Sequence, residues 1–329
     1  MKVLVTGGAG YIGSVVTRVL IEDGHDVVVL DDLSTGHRDA VPAGVPFVHA
    51  DIADAGDVLA REPFDGVLHF AAKSLVGESM NKPELYWATN VCGTRHLLDA
   101  MRRHSVPRLI FSSTAAVYGE GGPDGIGEDT PPRPTSPYGT SKLAVDLMIS
   151  DECRAYPLGA VSLRYFNVAG AYGPCGERHR TETHLIPITL DVAAGRRPHL
   201  EIYGNDWPTP DGTCVRDYIH VLDLARAHVV ALQHARPGHH AIYNLGNGRG
   251  FSVREVVAAV ERVTGRRVPV TVAPRRPGDP AWLVADDSRA RAELNWQPQA
   301  DLDTIIADAW AFHQQRRHTD GLAGGRTTS

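Results

Sequence analysis

The sequence has little cysteine and no long apolar run. Its four cysteines (Cys92, Cys153, Cys175 and Cys214) lie far apart and form no C-x-x-C pair, so we expect reduced thiols rather than disulfides or a cysteine zinc site. No apolar run reaches the roughly 18 residues that a membrane helix needs. The N-terminus passes from Met1-Lys2 straight into VLVT, without a signal-peptide core. A cytoplasmic protein is therefore expected.

The chain also lacks an excess of positive charge. Its 33 Lys and Arg residues stand against 39 Asp and Glu residues, a net charge of −6, which gives no electrostatic basis for binding nucleic acid. The 16 histidines are scattered apart from His239-His240, and no H-E-x-x-H spacing occurs. The sequence thus predicts no metal site.

Short β-branched runs alternate with longer amphipathic ones, which predicts an α/β fold of Rossmann type, a doubly wound parallel sheet with helices on both faces. We expect an NAD-binding domain over 1–170, a smaller α/β nucleotide-sugar domain over 171–315 and a disordered tail over 316–329. Later segments within 217–248 are expected to return to the first sheet. The predicted strands are Lys2–Thr6, Asp26–Asp31, Pro46–Ala50, Gly66–Phe70, Arg108–Ser112, Ala160–Tyr165 and Ala241–Leu245, and the main helices of the first half are Ile12–Asp23, Pro83–His104 and Tyr138–Ala155.

A glycine-rich turn follows the first strand in VLVTGGAGYIG. Gly7, Gly10 and Gly13 allow a tight turn and let backbone amides approach a pyrophosphate at a helix N-terminus. Asp31 ends the second strand, where an acidic side chain binds ribose hydroxyls and disfavours a 2′-phosphate. The pattern predicts NAD rather than NADP.

Other polar or small residues follow the next strands. Asp51-Ile52 closes the third strand and either holds the adenine edge or caps a helix. Ala71 and Ala72 of HFAAKSLVGES would let a backbone pass close to the cofactor. Asn90 either binds the cofactor or is a structural amide.

Tyr138 and Lys142 of SPYGTSK lie four residues apart, on one face of a helix. Making the phenol a base near pH 7 requires a pKa depression of roughly three units, about 4 kcal/mol, which a nearby cation could supply. Ser112, Ser113 and Thr114 end the fifth strand at the sheet edge where ligands of such folds bind. A hydroxyl there could relay a proton to the phenolate.

These motifs, with RYFNVAGA, THLIP, YGNDWPTPDGTCVRDYIHV, YNLGNG and RRPGDPAWLVADDS, give a chain that resembles the extended short-chain dehydrogenase/reductase family, above all its UDP-glucose 4-epimerase branch. The resemblance covers Met1 to about His313. It implies reversible 4-epimerisation of UDP-glucose and UDP-galactose through a 4-keto intermediate, with tightly bound NAD reduced and reoxidised in each turnover. It also implies a homodimer paired through Pro83–His104 and Tyr138–Ala155.

The resemblance further implies roles for individual residues. Tyr138 would be base and acid, Thr114 the hydroxyl relay, and Lys142 the charge that lowers the phenol pKa. Besides the residues already named, the cofactor would contact Tyr11, Ile12, Phe70, Ser112 and Tyr165. The nucleotide sugar would contact Thr114, Tyr138, Asn167, the Leu185 backbone, Tyr203, Arg216, Arg276, Asp279 and Leu283. Local salt bridges, Arg216 with Asp217 and Arg276 with Asp279, are the alternative.

The sequence departs from the family pattern in places. Lys73 sits one place earlier than the lysine of many members, and His184 replaces a common asparagine, so neither is given a role. Leu283 replaces a tyrosine of glucose/galactose-specific enzymes, which leaves UDP-N-acetylglucosamine open as a substrate.

Three other functions are compatible with this fold. Ala115 and Ala116 replace the Asp-Glu pair that the dehydratases of the family need, and this disfavours elimination. A 4-epimerase of UDP-xylose/arabinose or UDP-glucuronate would have the same catalytic residues. A non-catalytic NAD-sensing regulator need not retain Tyr138, Lys142 and Thr114.

Overall fold

A seven-stranded parallel sheet forms the centre of the protein. The computed structural model describes residues 1–179, 181–276 and 278–323, with side chains described as far as residue 315. The strands in chain order are β1 (Lys2–Thr6), β2 (Asp26–Asp31), β3 (Phe47–His49), β4 (Gly66–His69), β5 (Arg108–Thr114), β6 (Gly159–Tyr165), β7 (Asn167–Ala169), β8 (Ala171–Tyr172), β9 (Cys175–Gly176), β10 (Leu200–Tyr203), β11 (Val215–His220), β12 (His240–Leu245), β13 (Gly250–Ser252), β14 (Val270–Ala273) and β15 (Trp282–Leu283).

The spatial order of the central sheet is β3, β2, β1, β4, β5, β6, β12, and every pairing in it is parallel. The chain reverses its direction of travel across the sheet between β1 and β4, the point at which open α/β sheets bind ligands. The predicted Rossmann-type fold class is confirmed.

Helices cover both faces of this sheet. They are α1 (Tyr11–Glu22), α2 (Ala55–Leu59), α3 (Val76–Asn81), α4 (Pro83–Tyr86), α5 (Thr94–Arg103), α6 (Pro137–Ala155), α7 (Leu185–Ala193), α8 (Val221–His234), α9 (Val253–Thr264), α10 (Ser288–Leu294) and α11 (Leu302–Ala323). α1 and α8 pack on one face through Val15 and Leu224, and α5 and α6 on the other through Leu97 and Ile149. The central strands are continuous apolar runs because both their faces are buried.

One predicted helix is interrupted. The sequence predicted a single helix over Pro83–His104, but α4 and α5 are separated by a π-helical segment, Trp87–Gly93. The wider turn of a π-helix shifts the following residues around the axis. Asn90 lies within this segment, and its side-chain amide is directed into the protein interior, where it is fully buried.

The second half builds a smaller unit beside the sheet. β11 pairs with β7, β13 and β15, and β10 pairs with β14. α7, α9 and α11 enclose a separate apolar core, while β12 adds to the central sheet beside β6. The boundaries at residues 170 and 315 stay predictions. α11 continues through 316–323, where the sequence predicted a disordered tail, and the rest of that predicted tail, 324–329, lies outside the described residues.

Within the described residues, no helix has the length and apolar character needed to cross a membrane. Each of the four cysteines is free; only Cys92 is exposed.

Candidate active site

The glycine-rich turn joins β1 to α1 at the carboxyl edge of the sheet. Gly7 has a φ of +72°, and a Cβ atom there would lie 2.5 Å from the backbone nitrogen of Ala71. A Cβ on Gly13 would overlap the carbonyl oxygen of Gly7. Glycine at both positions lets the turn lie against the loop after β4. The first residues of α1 line an open cavity, and the N-terminus of a helix is suited to binding a phosphate.

Asp31 ends β2 beside this turn. Its carboxylate accepts hydrogen bonds from the backbone N–H of Ala9 (2.9 Å) and of Leu33 (2.8 Å). Burial raises the pKa of Asp31, and these two bonds oppose the rise. A carboxylate fixed in this way presents negative charge at the strand end, where a ribose would lie.

Asp51 follows β3, and its position is compatible with both predicted roles, capping a helix and holding the adenine edge. Its Oδ1 atom accepts a hydrogen bond of 2.8 Å from the backbone N–H of Ala53, capping a short 3₁₀ turn. It also lines the cavity described next, together with Ile52.

A cavity of about 380 Å³ opens between the glycine turn and α6. All but one of the predicted cofactor residues line it: Gly7, Gly10, Tyr11, Ile12, Gly13, Asp31, Asp51, Ile52, Phe70, Ala71, Ala72, Ser112, Tyr138, Lys142 and Tyr165. The sheet topology accounts for this, since the ends of β1, β2, β4 and β5 meet at one edge.

Asn90 is the exception, because it does not line the cavity. Its Oδ1 accepts the backbone N–H of Lys73 (2.8 Å), and its Nδ2 donates to the Lys73 carbonyl (3.0 Å) and to the Ser141 hydroxyl (3.0 Å). The amide therefore holds the loop after β4 against α6. These bonds favour the structural interpretation of Asn90, and direct contact with the cofactor stays a prediction.

Tyr138, Lys142 and Thr114 meet in this cavity. The side chain of Ser136 caps α6 at Gly139 (3.2 Å), which starts the helix one residue before Tyr138. Thr114 ends β5 and accepts the backbone N–H of Ala116 (3.2 Å), so its own O–H can donate elsewhere. The lysine reaches across to β5 and donates to the Ser112 carbonyl oxygen at 2.8 Å.

The pKa values differ from the sequence expectation. Burial raises the pKa of Tyr138, and a hydrogen bond with Thr114 opposes the rise. Burial lowers the pKa of Lys142 to about 7, with Asp146 opposing. The depressed phenol pKa expected from the sequence is therefore absent from the protein without cofactor; further positive charge at the phenol is required.

A second cavity, of about 430 Å³, adjoins the first and contains the predicted nucleotide-sugar residues Asn167, Leu185, Tyr203, Arg216, Arg276 and Asp279. Asn167 and His184 line both cavities. Leu283 lies in the first cavity with Thr114 and Tyr138. The guanidinium of Arg276 lies 3.7 Å from the centre of the Tyr203 ring.

Arg216 pairs with Asp279 rather than with Asp217, the partner expected if the arginine formed only a local salt bridge. Arg216 lies 3.9 Å from the Asp279 carboxylate and donates to the carbonyl oxygens of Val215 and Pro280, both at 2.9 Å. Asp217 instead accepts three backbone N–H groups, from Asn247, Gly248 and Ala285. Arg216 is thus oriented by backbone carbonyls and a distant carboxylate, which leaves it able to bind an anion.

Residues 3–246 match the model of the NAD dependent epimerase/dehydratase family. The chain belongs to this family. A UDP-glucose 4-epimerase of Streptomyces lividans is 58% identical over 318 residues, which cover 95% of this chain and 96% of the relative.

Solved structures agree with this family assignment. The UDP-glucose 4-epimerase of Brucella ovis in complex with NAD has a TM-score of 0.90 and 48% identity, over 94% of this chain and 97% of its own. The UDP-Glc/GlcNAc 4-epimerase of Campylobacter jejuni has a TM-score of 0.84 and 41% identity, over 95% and 99%.

The first cavity of this epimerase/dehydratase family member fits NAD. A Cβ at Gly7 or Gly13 would fill the turn, and Asp31 lines the cavity at the end of β2, where a ribose would lie. Sequence reasoning missed Ser34, Thr35 and Gly36, which also line the cavity. The signal was available, since the polar run LSTG directly follows Asp31-Asp32. Lys73 lies there too, with Nζ 3.4 Å from the Ser34 hydroxyl.

Beside the two cavities the structure gathers four side chains: Glu177, His179, Glu182 and His184. Of these, the sequence had drawn attention only to His184, without a role. The neighbouring carboxylates raise the pKa of His179 to about 9 and that of His184 to about 10. The histidines lower the pKa of both glutamates. We refer to these four residues as the Glu-His cluster.

Proposed function

We propose that this enzyme interconverts UDP-glucose and UDP-galactose by reversible oxidation at the sugar C4. The observation that carries the proposal is the meeting of Tyr138, Thr114 and Lys142 in a cavity that adjoins a second, arginine-containing cavity. Such a pair of sites suits a ligand with a reactive alcohol at one end and a nucleoside diphosphate at the other.

Tyr138 performs the proton transfer. The phenolate takes the proton of the sugar 4-hydroxyl, and Thr114 relays that proton through its hydroxyl. Once the 4-keto sugar has turned over in the pocket, Tyr138 returns the proton to the same oxygen, while C4 regains its hydrogen on the opposite face. Because burial raises the phenol pKa in the protein alone, Tyr138 becomes a base only when positive charge approaches it. Lys142 is already in place, so the additional charge would come from NAD⁺ held in the first cavity.

NAD, when bound, would supply the acceptor for the C4 hydride and the hydride for its return. Its pyrophosphate would lie at Gly10 and Gly13, its adenosine ribose at Asp31, and its nicotinamide ribose at Lys142 and Tyr138. Tyr165 and Phe70, which both pack against His228, would complete the wall of that site.

The second cavity binds the UDP group. Arg216 and Arg276 present guanidinium groups that suit a pyrophosphate, and Asp279 would accept a ribose hydroxyl. Tyr203 would stack on the uracil, and Asn167 is held near the diphosphate by its 3.0 Å bond to the Asp217 carbonyl.

We propose UDP-N-acetylglucosamine as a further substrate. Leu283 lines the catalytic cavity and is smaller than a tyrosine, so it leaves more room at the sugar. If the enzyme epimerises UDP-glucose and leaves UDP-N-acetylglucosamine unchanged, this extension is wrong.

We also propose a homodimer. Apolar side chains are exposed on the helices predicted to pair: Leu85 and Trp87 are 37% and 41% exposed near α4, and Leu147 on α6 is 59% exposed. Burying such a patch against a second copy is favourable. Sedimentation should give the dimer mass, and Leu147→Asp should give the monomer mass.

We place the enzyme in the cytoplasm, where four free cysteines would remain reduced. Cell fractionation tests this placement.

The decisive experiment is to incubate the purified protein with UDP-galactose, without added NAD, and to separate the products by chromatography. UDP-glucose should accumulate to equilibrium. Dehydration is not expected, because Ala115 and Ala116 line the cavity and neither can transfer a proton. A 4-keto-6-deoxy product, or no conversion even with added NAD, would contradict the proposal.

A further inference from the structure

We propose that the Glu-His cluster binds one divalent cation of the zinc type. The proposal goes beyond the epimerase function and does not depend on it. The sequence predicted no metal site, because the cluster has the spacing E-x-H-x-x-E-x-H in a loop rather than the H-E-x-x-H of a helix.

The ligand atoms are already gathered. One nitrogen or oxygen from each of the four residues lies within 4.8 Å of all the others. The Nδ1 of His184 is 2.6 Å from Glu177 Oε1 and 2.9 Å from Glu182 Oε1. The Nδ1 of His179 is 3.1 Å from Glu177 Oε1 and 3.5 Å from Glu182 Oε2.

These distances are close to those of a tetrahedral site. With metal–ligand bonds of about 2.0–2.1 Å, the ligand atoms around zinc lie about 3.3–3.4 Å apart. Three of the four contacts would lengthen, by between about 0.2 and 0.8 Å, to admit the ion. Such shifts are within reach of side chains on a loop.

His179 supplies an independent indication. Its Nδ1 atom is buried and forms no hydrogen bond of proper geometry, although a carboxylate oxygen lies only 3.1 Å away. The glutamate side chains beside it are only 9% and 14% exposed. Buried carboxylates require a positive partner, a role that the protonated histidines fill until a metal ion displaces their protons. A cation between nitrogen and oxygen satisfies both atoms, whereas a misaligned contact satisfies neither.

The donor set selects the cation. Two imidazole nitrogens and two carboxylate oxygens suit zinc and similar transition metals better than Mg²⁺ or Ca²⁺, which prefer oxygen alone. Four protein ligands leave no open position, the arrangement of structural rather than catalytic zinc. The ion would therefore order a loop and take no part in the reaction.

That loop lies where order matters. Glu177 and His184 line both cavities. Within the loop, Arg178 forms a bidentate pair with Asp39, both contacts at 2.8 Å, and its carbonyl lies 3.1 Å from His37 Nε2. Cation binding would thus fix the wall shared by the cofactor and nucleotide cavities against the segment after β2.

The test uses full-length, tag-free protein treated with EDTA and then titrated with Co²⁺. We expect one equivalent to give the intense visible absorption of tetrahedral Co²⁺, and Zn²⁺ to displace it and raise the melting temperature. Glu182→Gln and His184→Asn should each weaken binding by more than the about 10–100-fold that outer-shell changes cost. His104→Gln, an exposed histidine at the end of α5, should bind as the wild type does.

Two results would overturn the proposal. One is a wild type without tetrahedral Co²⁺ absorption, which would leave the cluster as two ion pairs only. The other is equal binding by the cluster variants and the wild type. If a variant fails to fold, anomalous diffraction at the zinc edge from wild-type crystals decides: a peak must lie among the four side chains.

Discussion

The ammonium of Lys142 donates a hydrogen bond of 2.8 Å to the backbone carbonyl oxygen of Ser112. This bond joins the second turn of α6 to the end of β5. It holds the lysine amine in a site where the residue is only 3% exposed. The Phe111 ring lies 4.7 Å from the same nitrogen. The lysine is thereby positioned beside the cavity at the cost of much of its hydration.

The first prediction concerns the pH dependence that this burial causes. The pKa of Lys142 is lowered to about 7 from 10.5. Between these values the unfolded chain binds one more proton than the folded chain, so this group makes folding more favourable as pH rises. The increment is at most about 1.4 kcal/mol per pH unit, and Lys142→Met should abolish it.

Urea unfolding of the cofactor-stripped wild type and variant, at several pH values between about 7 and 10, measures this difference. The raised pKa values of His179 and His184 act in the opposite direction, since their stabilisation is lost as pH rises through about 9 and 10. They are present in both proteins and cancel in the comparison. Parallel pH profiles for the two proteins would show that the ammonium is not desolvated.

The second prediction concerns the phenol. Tyr138→Phe removes the group that transfers the proton, and should reduce kcat by about 10²–10⁴-fold. The melting temperature should change little, because the ring keeps its edge-on contact with Tyr86, 6.3 Å between centres. Tyr156→Phe is the matched control: that tyrosine is 42% exposed near the end of α6. Product chromatography with UDP-galactose gives both rates, and comparable rates would remove Tyr138 from the mechanism.

Sequence reasoning located the residues whose position follows from the sheet. Asp31 and Thr114 end parallel strands, and Gly7 follows one, so the topology alone brings them to one edge. Sequence reasoning was less successful where packing between distant parts of the chain decides the orientation of a side chain. The carbonyls that orient Arg216 include that of Pro280, 64 residues away, and Asn90 turns inward only because a π-helical segment interrupts the predicted helix. The Glu-His cluster forms in a loop, where no periodicity indicates which side chains meet.

The third prediction concerns Asp217, which is fully buried. Its carboxylate accepts the backbone N–H of Asn247 at 2.7 Å and those of Gly248 and Ala285 at 3.1 Å. An asparagine has one acceptor and one donor, so at least one of these N–H groups would face an amide NH₂. Asp217→Asn should therefore lower the free energy of unfolding by about 1–3 kcal/mol.

Asp206→Asn serves as the control for that variant. Asp206 is 70% exposed and pairs with Arg275 at 2.8 Å, an exposed pair of a kind that is worth at most about 1 kcal/mol. Urea unfolding of both variants is the measurement. Equal losses would mean that the three backbone bonds to Asp217 contribute nothing particular to stability.

The last prediction separates two reasons for glycine at position 7 of the glycine-rich turn, its left-handed backbone and the lack of space for a Cβ atom. Gly7 and Gly24 have nearly the same backbone φ, +72° and +78°. A Cβ on Gly7 would lie 2.5 Å from the Ala71 nitrogen, whereas a Cβ on Gly24 meets nothing within 4 Å. Alanine at either position incurs the left-handed penalty of about 1–2 kcal/mol.

Only Gly7→Ala should incur a further loss, of about 1–3 kcal/mol from overpacking, and only that variant should lose bound NAD. Urea unfolding gives the two stabilities, and the absorbance of nucleotide released on denaturation gives the NAD content. Because the backbone penalty is common to both variants, their difference measures the close approach of the turn to the loop after β4. Equal stability and equal NAD content would show that this approach does not constrain the cofactor site.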